Sequence, residues 1–125
     1  MKTAQDYLDA ANAIVPRIPA SEAIAIHSEG RGTFIDVRDS AAIAQTGTIA
    51  GAHRIPRGFL EFAADKDLGS HDPALDPEAE IFLVCGKGGQ AALSGATLKA
   101  MGFAHVTNIG GIGDWKDAGG PMDAG

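Results

Sequence analysis

Apolar side chains recur along the chain at two different spacings, one helical and one extended. Residues 3–15 carry Leu8 and further apolar side chains at helical spacing, and Thr3 is placed to cap this helix with Asp6 three positions on. The stretch ASEAIAIHSEG predicts a second short helix that ends at Gly30. Further helices are predicted for residues 39–47, 58–65, 88–102 and 113–119.

Four short apolar runs predict β-strands between these helices: TFIDVR (33–38), AHRIP (52–56), IFLVC (81–85) and HVTNI (105–109). The third run is apolar at every position, which is typical of a parallel strand covered on both faces. Residues 65–80 are rich in Asp, Gly and Pro and predict a surface loop. Because strands and helices alternate, the chain is predicted to form an α/β fold with a mainly parallel sheet.

The length of 125 residues fits a single domain, with an N-terminal helix and linker at 1–18 and a core at 19–122. Ten basic residues against sixteen acidic ones give a net charge of −6, which argues against a nucleic-acid partner. No apolar run approaches the roughly 20 residues of a membrane helix, so no membrane partner is expected. Asp6 and Asp9 stand where a signal peptide would be apolar, and a cytoplasmic protein is therefore expected.

The single cysteine, Cys85, stands at the carboxyl end of the most apolar strand, where sites form in parallel sheets. Gly86, Gly88 and Gly89 follow it and allow a tight turn into the next helix. The N–H groups of such a turn and the helix N-terminus favour a negative charge, and hence a reactive thiolate. Lys87 adds a positive charge at the rim. The alternative is that the cysteine is an inert small apolar residue.

One cysteine restricts the chemistry further, because it excludes an internal disulfide, a CxxC redox pair and a cysteine-rich zinc site. The phosphate-binding P-loop is excluded as well, since GKGGQA lacks the spacing of that motif. The four histidines are scattered without the spacing of a metal site. No metal is therefore expected.

Three segments in order carry a resemblance to a known family. They are FIDVRDSAAIAQTGTIAGAHRIP (34–56), CGKGGQAA (85–92) and NIGGIGDWKDAGGPM (108–122). Together they resemble the single-domain rhodaneses, and the similarity extends from Pro19 to Met122. The resemblance implies a rhodanese-like α/β fold, with a central, mainly parallel five-stranded sheet flanked by helices on both faces.

The resemblance also implies a reaction. Cys85 would be the nucleophile, and residues 86–90 would form the active-site loop whose N–H groups face a persulfide. The thiolate would take sulfur from a small sulfur-donor anion such as thiosulfate. It would pass this sulfur to cyanide or to a thiol acceptor, either a small molecule or a protein. Neither a metal nor an organic cofactor is implied.

The chain departs from the family pattern at two places. Gln90 stands where the family often has arginine, and Gly47, Thr48 and Ile49 replace Gly-His-Ile. A neutral amide binds an anion less strongly than a guanidinium, so Lys87 and Arg57 are expected to compensate. The alternative for Arg57 is an exposed ion pair with Glu61 four residues on.

Sulfur transfer is the function predicted from these features, with two alternatives left open. A non-catalytic rhodanese-like binding module or sulfur carrier is one, and the loss of arginine at position 90 favours it. A phosphatase or arsenate reductase is the other. Related enzymes of that kind have a loop one residue longer, ending in arginine, whereas the loop here has six residues from Cys85 to Gln90. Asp36, Arg38 and Trp115 are predicted to be structural, with the Trp115 indole N–H hydrogen-bonded.

Overall fold

The computed structural model describes residues 1–125 and contains six α-helices and six β-strands. None of the helices has the length and apolar character needed to cross a lipid bilayer. A 3₁₀ turn at Arg57–Phe59 leads into the fourth helix. The elements in chain order are α1 (Ala4–Ile14), α2 (Ala20–Ser28), β1 (Thr33–Asp36), α3 (Ser40–Thr46), β2 (Thr48–Ile49), β3 (His53–Arg54), α4 (Leu60–Ala64), β4 (Ile81–Cys85), α5 (Gly89–Ala100), β5 (Val106–Gly111), α6 (Ile112–Asp117) and β6 (Met122–Asp123).

The central sheet has four parallel strands in the order β3-β1-β4-β5. The expectation of five strands was therefore wrong. The position beyond β5 holds one isolated parallel bridge, between Arg17 and Asn108. Pro16 has no N–H to continue the pairing on one side of the bridge, and on the other side the N–H of Gly110 donates to the side chain of Asn108, so no fifth strand forms. A separate antiparallel pair, β2 with β6, was not predicted because each strand has only two residues.

Both faces of the sheet are covered, as the unbroken apolar run of β4 predicted. Every residue of β4 is buried, and Ile81, Leu83 and Cys85 lie in one core with side chains of α4 and α5. Phe82 and Val84 lie in the other core, with side chains of α2 and α6. Cys85 thus shares its side of the sheet with α5, the helix that follows it in the chain.

The N-terminal helix is fixed to the domain through α5. Val15, directly after α1, is buried, and its methyl groups lie 2.8 and 3.0 Å from the position that a side chain on Gly95 would occupy. The absence of a side chain at Gly95 therefore allows the end of α1 to approach α5. The predicted cap is confirmed, because Thr3 and Asp6 form a reciprocal capping box.

The other predicted helices and strands are present in the structure, and the differences from the prediction lie at the residues where these elements begin and end. The loop at 65–80 has neither helix nor strand, as predicted. The strand predicted for 33–38 ends at Asp36. The strand predicted for 52–56 pairs only at His53 and Arg54.

A buried ion pair closes the end of β1. The Asp36 carboxylate is fully buried and accepts hydrogen bonds from the backbone and guanidinium of Arg38 and from the Thr48 hydroxyl. Arg38 also donates to the Thr46 hydroxyl and to the Gly47 carbonyl. These bonds hold the end of α3 and the start of β2 against the sheet. The structural role predicted for Asp36 and Arg38 is confirmed.

Trp115 is structural as well. Its side chain is buried, and its indole N–H donates to the carbonyl of Pro121 at 2.9 Å. The ring packs edge-on to the imidazole of His27, whose Nε2 lies 2.8 Å from the carbonyl oxygen of Ala50. The predicted role of Trp115, packing beside the core with a partnered N–H, is confirmed.

Candidate functional site

The sulfur of Cys85 accepts hydrogen bonds from two backbone amides of the glycine loop. The N–H of Gly88 lies 3.0 Å from Sγ, and the N–H of Ala91 lies 3.3 Å from it. Gly88 adopts a left-handed conformation, with φ of 105°, which a residue with a side chain rarely adopts. Cys85 itself is only 1% exposed. The loop therefore directs backbone dipoles at the one thiol of the chain.

Further amides of the loop remain available to a ligand. The N–H groups of Gly86 and Lys87 donate no hydrogen bond within the protein. Gly89 and Gln90 are the first two residues of α5, where N–H groups have no acceptor inside the helix. Unpartnered N–H groups at the start of a 12-residue helix favour an anion, through both hydrogen bonds and the helix dipole. The arrangement can stabilise negative charge on Cys85 or on an anion beside it.

The side chain of Asn108, on β5, forms a hydrogen bond to the loop around Cys85. Its side chain is fully buried, and its amide donates to the carbonyl of Gly88 at 2.9 Å. Its side-chain oxygen accepts from the N–H of Gly110 at 2.8 Å. Sequence reasoning missed this residue, although a signal existed: a buried polar side chain in the strand HVTNI must find hydrogen-bond partners.

Arg17 lies against the same loop and was also missed. Its guanidinium donates to the carbonyl of Lys87 at 3.3 Å. Side chains on Gly88 or Gly110 would collide with it, and the nearest guanidinium nitrogen is 3.0 Å from the Cβ position at Gly110. Nothing in the sequence indicated this contact, because the two partners stand 70 positions apart.

The three polar side chains predicted to assist Cys85, those of Lys87, Gln90 and Arg57, differ in whether they form hydrogen bonds within the protein. Lys87 and Gln90 are exposed, and their side chains make no hydrogen bond within the protein. Arg57 donates to the carboxylate of Glu61 and to the hydroxyl of Thr97, both at 3.0 Å. The pairing with Glu61 is the arrangement considered as the alternative to anion binding.

Arg57 and Gln90 border an apolar cavity beside the loop. This cavity has a volume of about 740 Å³ and lies between α1 and α5, with Tyr7, Leu8 and Leu93 among its lining residues. It adjoins the start of α5, where Gly89 also contributes to the lining. The cavity is thus continuous with the loop around Cys85. No group of three or more His, Cys, Asp or Glu side chains is placed to hold a metal ion.

Comparisons with known proteins point to one family. The family model described as rhodanese-like domain matches residues 19–118. A structure from Rhodopseudomonas palustris, described as a protein of unknown function and possible tyrosine phosphatase, superposes with a TM-score of 0.93. It is 32% identical in sequence, and the match covers 98% of this chain and 96% of that one.

Two further solved structures are described as sulfurtransferases. The polysulfide-sulfur transferase homodimer of Wolinella succinogenes is 30% identical, with a TM-score of 0.75, over 94% of this chain and 85% of that one. The human single-domain sulfurtransferase TSTD1 is 24% identical, with a TM-score of 0.70, over 82% and 96%. At that identity the human protein supports the fold alone. No curated protein sequence matched the chain.

Proposed function

Because the chain belongs to the rhodanese-like domain family, we propose that it is a sulfurtransferase that carries sulfur as a persulfide on Cys85. The observation that supports this most directly is the pair of amide hydrogen bonds to Sγ, from Gly88 and Ala91. Activation of a cysteine nucleophile requires stabilisation of its thiolate, and loop dipoles provide it without a general base. The name of the Wolinella succinogenes protein, a polysulfide-sulfur transferase, is consistent with this class of reaction.

The proposed reaction has two displacement steps on sulfur. The Cys85 thiolate attacks the outer sulfur of thiosulfate, an S–S bond forms, and the S–S bond of the donor breaks to release sulfite. The total charge of −3 is conserved, because the enzyme persulfide carries one negative charge and sulfite carries two. An acceptor thiolate then attacks the outer sulfur, so that Cys85 leaves as a thiolate and the acceptor becomes the persulfide. Cyanide in the same step yields thiocyanate.

The loop suits both forms of the cysteine. Gly88 and Ala91 donate to Sγ in the thiolate form, and a persulfide moves the charge outward by one sulfur atom. The free amides of Gly86 and Lys87, with those of Gly89 and Gln90 at the start of α5, are then the donors available to the outer sulfur. The acceptor must come from outside, since the chain has no second cysteine. We propose a thiol, on a small molecule or a protein, in this role.

Mass spectrometry of the intact protein tests this function. After incubation with thiosulfate, the wild type should gain one sulfur atom, and cyanide should remove it. Cys85→Ser keeps the size of the side chain and should gain nothing. If the folded wild type takes up sulfur from neither thiosulfate nor polysulfide, the chain is better described as a binding module.

A phosphatase is the second candidate, because the Rhodopseudomonas palustris structure is described as a possible tyrosine phosphatase. The same amides that favour a persulfide also favour a phosphate, and both reactions would use Cys85. Gln90 argues against it, since a neutral side chain at the end of a six-residue loop replaces the charged fork that phosphate binding favours. Turnover of an aryl phosphate that is lost in Cys85→Ser, without any sulfur adduct, would favour the phosphatase.

A further inference from the structure

Arg17 approaches the cysteine loop from the segment between α1 and α2. Its backbone is fixed beside β5, because the N–H of Asn108 donates to the carbonyl of Pro16 and the N–H of Ile18 donates to that of Asn108. These two bonds lie on either side of Arg17, so its side chain starts from an anchored position. No ion pair of the protein includes Arg17. Its guanidinium makes one hydrogen bond, to the carbonyl of Lys87.

The peptide group between Lys87 and Gly88 is held at both of its ends. Its carbonyl accepts from the guanidinium of Arg17 at 3.3 Å, and its N–H donates to Sγ of Cys85 at 3.0 Å. The protein has no cis peptide bond, and in a planar trans peptide the C=O and the N–H point in opposite directions. Arg17 and the sulfur therefore lie on opposite sides of the loop, with this peptide between them.

Arg17 is the one group of the protein that fixes the carbonyl end of this peptide. No backbone N–H and no other side chain donates to the carbonyl of Lys87. The next peptide differs, because the carbonyl of Gly88 accepts from both the N–H of Ala92 and the side chain of Asn108. Gly88 has no side chain, and glycine accepts the backbone angles on either side of a turn of the preceding peptide. Without Arg17, the bond from N–H to sulfur alone would oppose that turn.

The orientation of this peptide decides which end of its dipole faces Cys85. As it stands, the N–H of Gly88 faces Sγ and stabilises negative charge there. Turned over, the peptide would present the carbonyl oxygen of Lys87 to the same sulfur and oppose that charge. The bond from N–H to sulfur is strongest to a thiolate and weakens in a persulfide, whose charge lies on the outer sulfur. A second hold on the peptide therefore matters most in the persulfide form.

We propose that Arg17 is a positioning residue that keeps the N–H of the Lys87–Gly88 peptide toward the sulfur in every form of Cys85. This inference rests on the proposed sulfurtransferase function. In the first step, the held N–H stabilises the attacking thiolate. In the second step, it stabilises the thiolate that leaves when the acceptor takes the outer sulfur. Arg17 acts through the peptide and touches neither the donor nor the acceptor.

The test follows the alkylation of Cys85 by neutral iodoacetamide across pH, a reaction that needs the thiolate but no sulfur transfer. Arg17→Met removes the donor to the carbonyl of Lys87. Its pH profile should lie about half a unit or more above that of the wild type, because less thiolate forms at a given pH. At the high-pH plateau, where both proteins are fully ionised, the two rates should agree within about twofold.

Two further variants show whether the effect belongs to this hydrogen bond. Arg17→Lys keeps a donor and should restore part of the shift in the pH profile. Arg31→Met is the matched control, because it removes the same charge beside Glu80, which precedes the opposite end of β4. Its profile should equal that of the wild type.

High salt separates positioning from the plain effect of a positive charge. At about 1 M salt the Debye length is about 3 Å, so a charge that acts through solvent from the far side of the loop is screened. The shift in Arg17→Met should persist under these conditions, because it follows from the lost hydrogen bond to a peptide.

Amide NMR signals report on the peptide directly. Gly88 and Ala91 both donate to Sγ, but only the N–H of Gly88 belongs to the peptide that Arg17 holds. Compared at equal thiolate fractions, Arg17→Met should move the signal of Gly88 and leave that of Ala91 in place. Arg31→Met should move neither signal.

Four results would overturn the inference: an unchanged pH profile in Arg17→Met, a shift that disappears in high salt, rates lower by the same factor at every pH, and equal movement of the two amide signals. The second would mean that charge alone acts, and the last two that the substitution disturbs the whole loop. A wild-type Cys85 that iodoacetamide does not alkylate would also overturn it, since the loop would have no reactive sulfur to serve. A wild type that gains no sulfur, but shows the expected profiles, disproves the transferase and leaves the positioning by Arg17 standing.

Discussion

The side-chain amide of Asn108 donates to the carbonyl oxygen of Gly88 at 2.9 Å, and this bond ties the core of the sheet to the loop around Cys85. The two residues are 20 positions apart in sequence. Both lie near the carboxyl ends of the parallel strands, where binding sites form in such sheets. Since Gly88 also donates to Sγ, the geometry of the thiol depends on a residue that does not touch it. Asn108 is a positioning residue in this sense.

Asn108→Ala should weaken both the fold and the reaction. It leaves the N–H of Gly110 without its acceptor, and an unsatisfied buried donor costs about 1–3 kcal/mol of the free energy of unfolding. The rate of persulfide formation should fall with it, because the loop loses its tie to β5. Urea unfolding and the thiosulfate reaction measure the two effects. Thr107→Ala, whose hydroxyl makes no hydrogen bond within the protein, is the neighbouring control and should leave the rate unchanged. An unchanged rate in Asn108→Ala would contradict the positioning role.

Gly88→Ala should destabilise the protein where Gly86→Ala does not. At Gly88 a side chain meets both a left-handed backbone, with φ of 105°, and the guanidinium of Arg17. Such strain costs about 1–3 kcal/mol in the free energy of unfolding. Gly86 does not have a positive φ, and nothing lies within 4 Å of the position of its added Cβ. Its substitution should change the free energy by less than about 0.5 kcal/mol. Equal urea midpoints for the two variants would rule out this account of the loop.

Gln90→Arg should increase the rate of persulfide formation from thiosulfate. The side chain of Gln90 is exposed and makes no hydrogen bond within the protein, so its replacement breaks no internal contact. A guanidinium at the end of the loop adds positive charge for a dianionic donor, while a neutral trisulfide should react at an unchanged rate. Gln90→Met, of similar length but uncharged, serves as the comparison. A faster reaction with the neutral donor as well would show that charge is not the reason.

Arg38→Met should cost far more stability than Arg31→Met. Arg38 is the partner of the fully buried Asp36, and its removal leaves a buried carboxylate without its cation, at about 3–5 kcal/mol. Arg31 forms an exposed pair with Glu80, and its loss should change the free energy of unfolding much less, because solvent screens the two charges. Thermal or urea unfolding measures both losses. Similar losses for the two variants would mean that Asp36 keeps its other donors and does not need the charge of Arg38.

Elements governed by neighbouring residues were predictable. The capping box of Thr3 and Asp6 and the strand 81–85 depend on contacts along the chain itself. Strand ends were less predictable, because pairing needs a partner at each position. Thus the predicted strand 52–56 pairs with β1 over only two residues. Beyond β5, where a fifth strand was expected, only the single bridge between Arg17 and Asn108 forms.

The cysteine loop was predictable because its parts are contiguous. A strand that ends in a thiol and is followed by three glycines within four residues already indicates a tight turn whose amides lie near the sulfur. Ala91 was overlooked as a donor, since it lies just past the glycines. The roles of Lys87, Gln90 and Arg57 in binding an anion stay predictions. The structure places Arg57 on Glu61 and Thr97, which are contacts of α4 and α5.

By itself, the sequence determined the α/β class, the order of the helices and of the parallel strands, and the position of the thiol at a strand end. These features follow from local spacing and backbone conformation, which adjacent residues dictate. Only the tertiary structure decided that Asn108 supports the loop and that Arg17 reaches across Gly88 and Gly110 to Lys87. Such contacts depend on which strands lie side by side. Asn108 stood out only as a polar residue in an apolar strand and Arg17 had no local pattern at all, so the sequence did not reveal the partner of either residue.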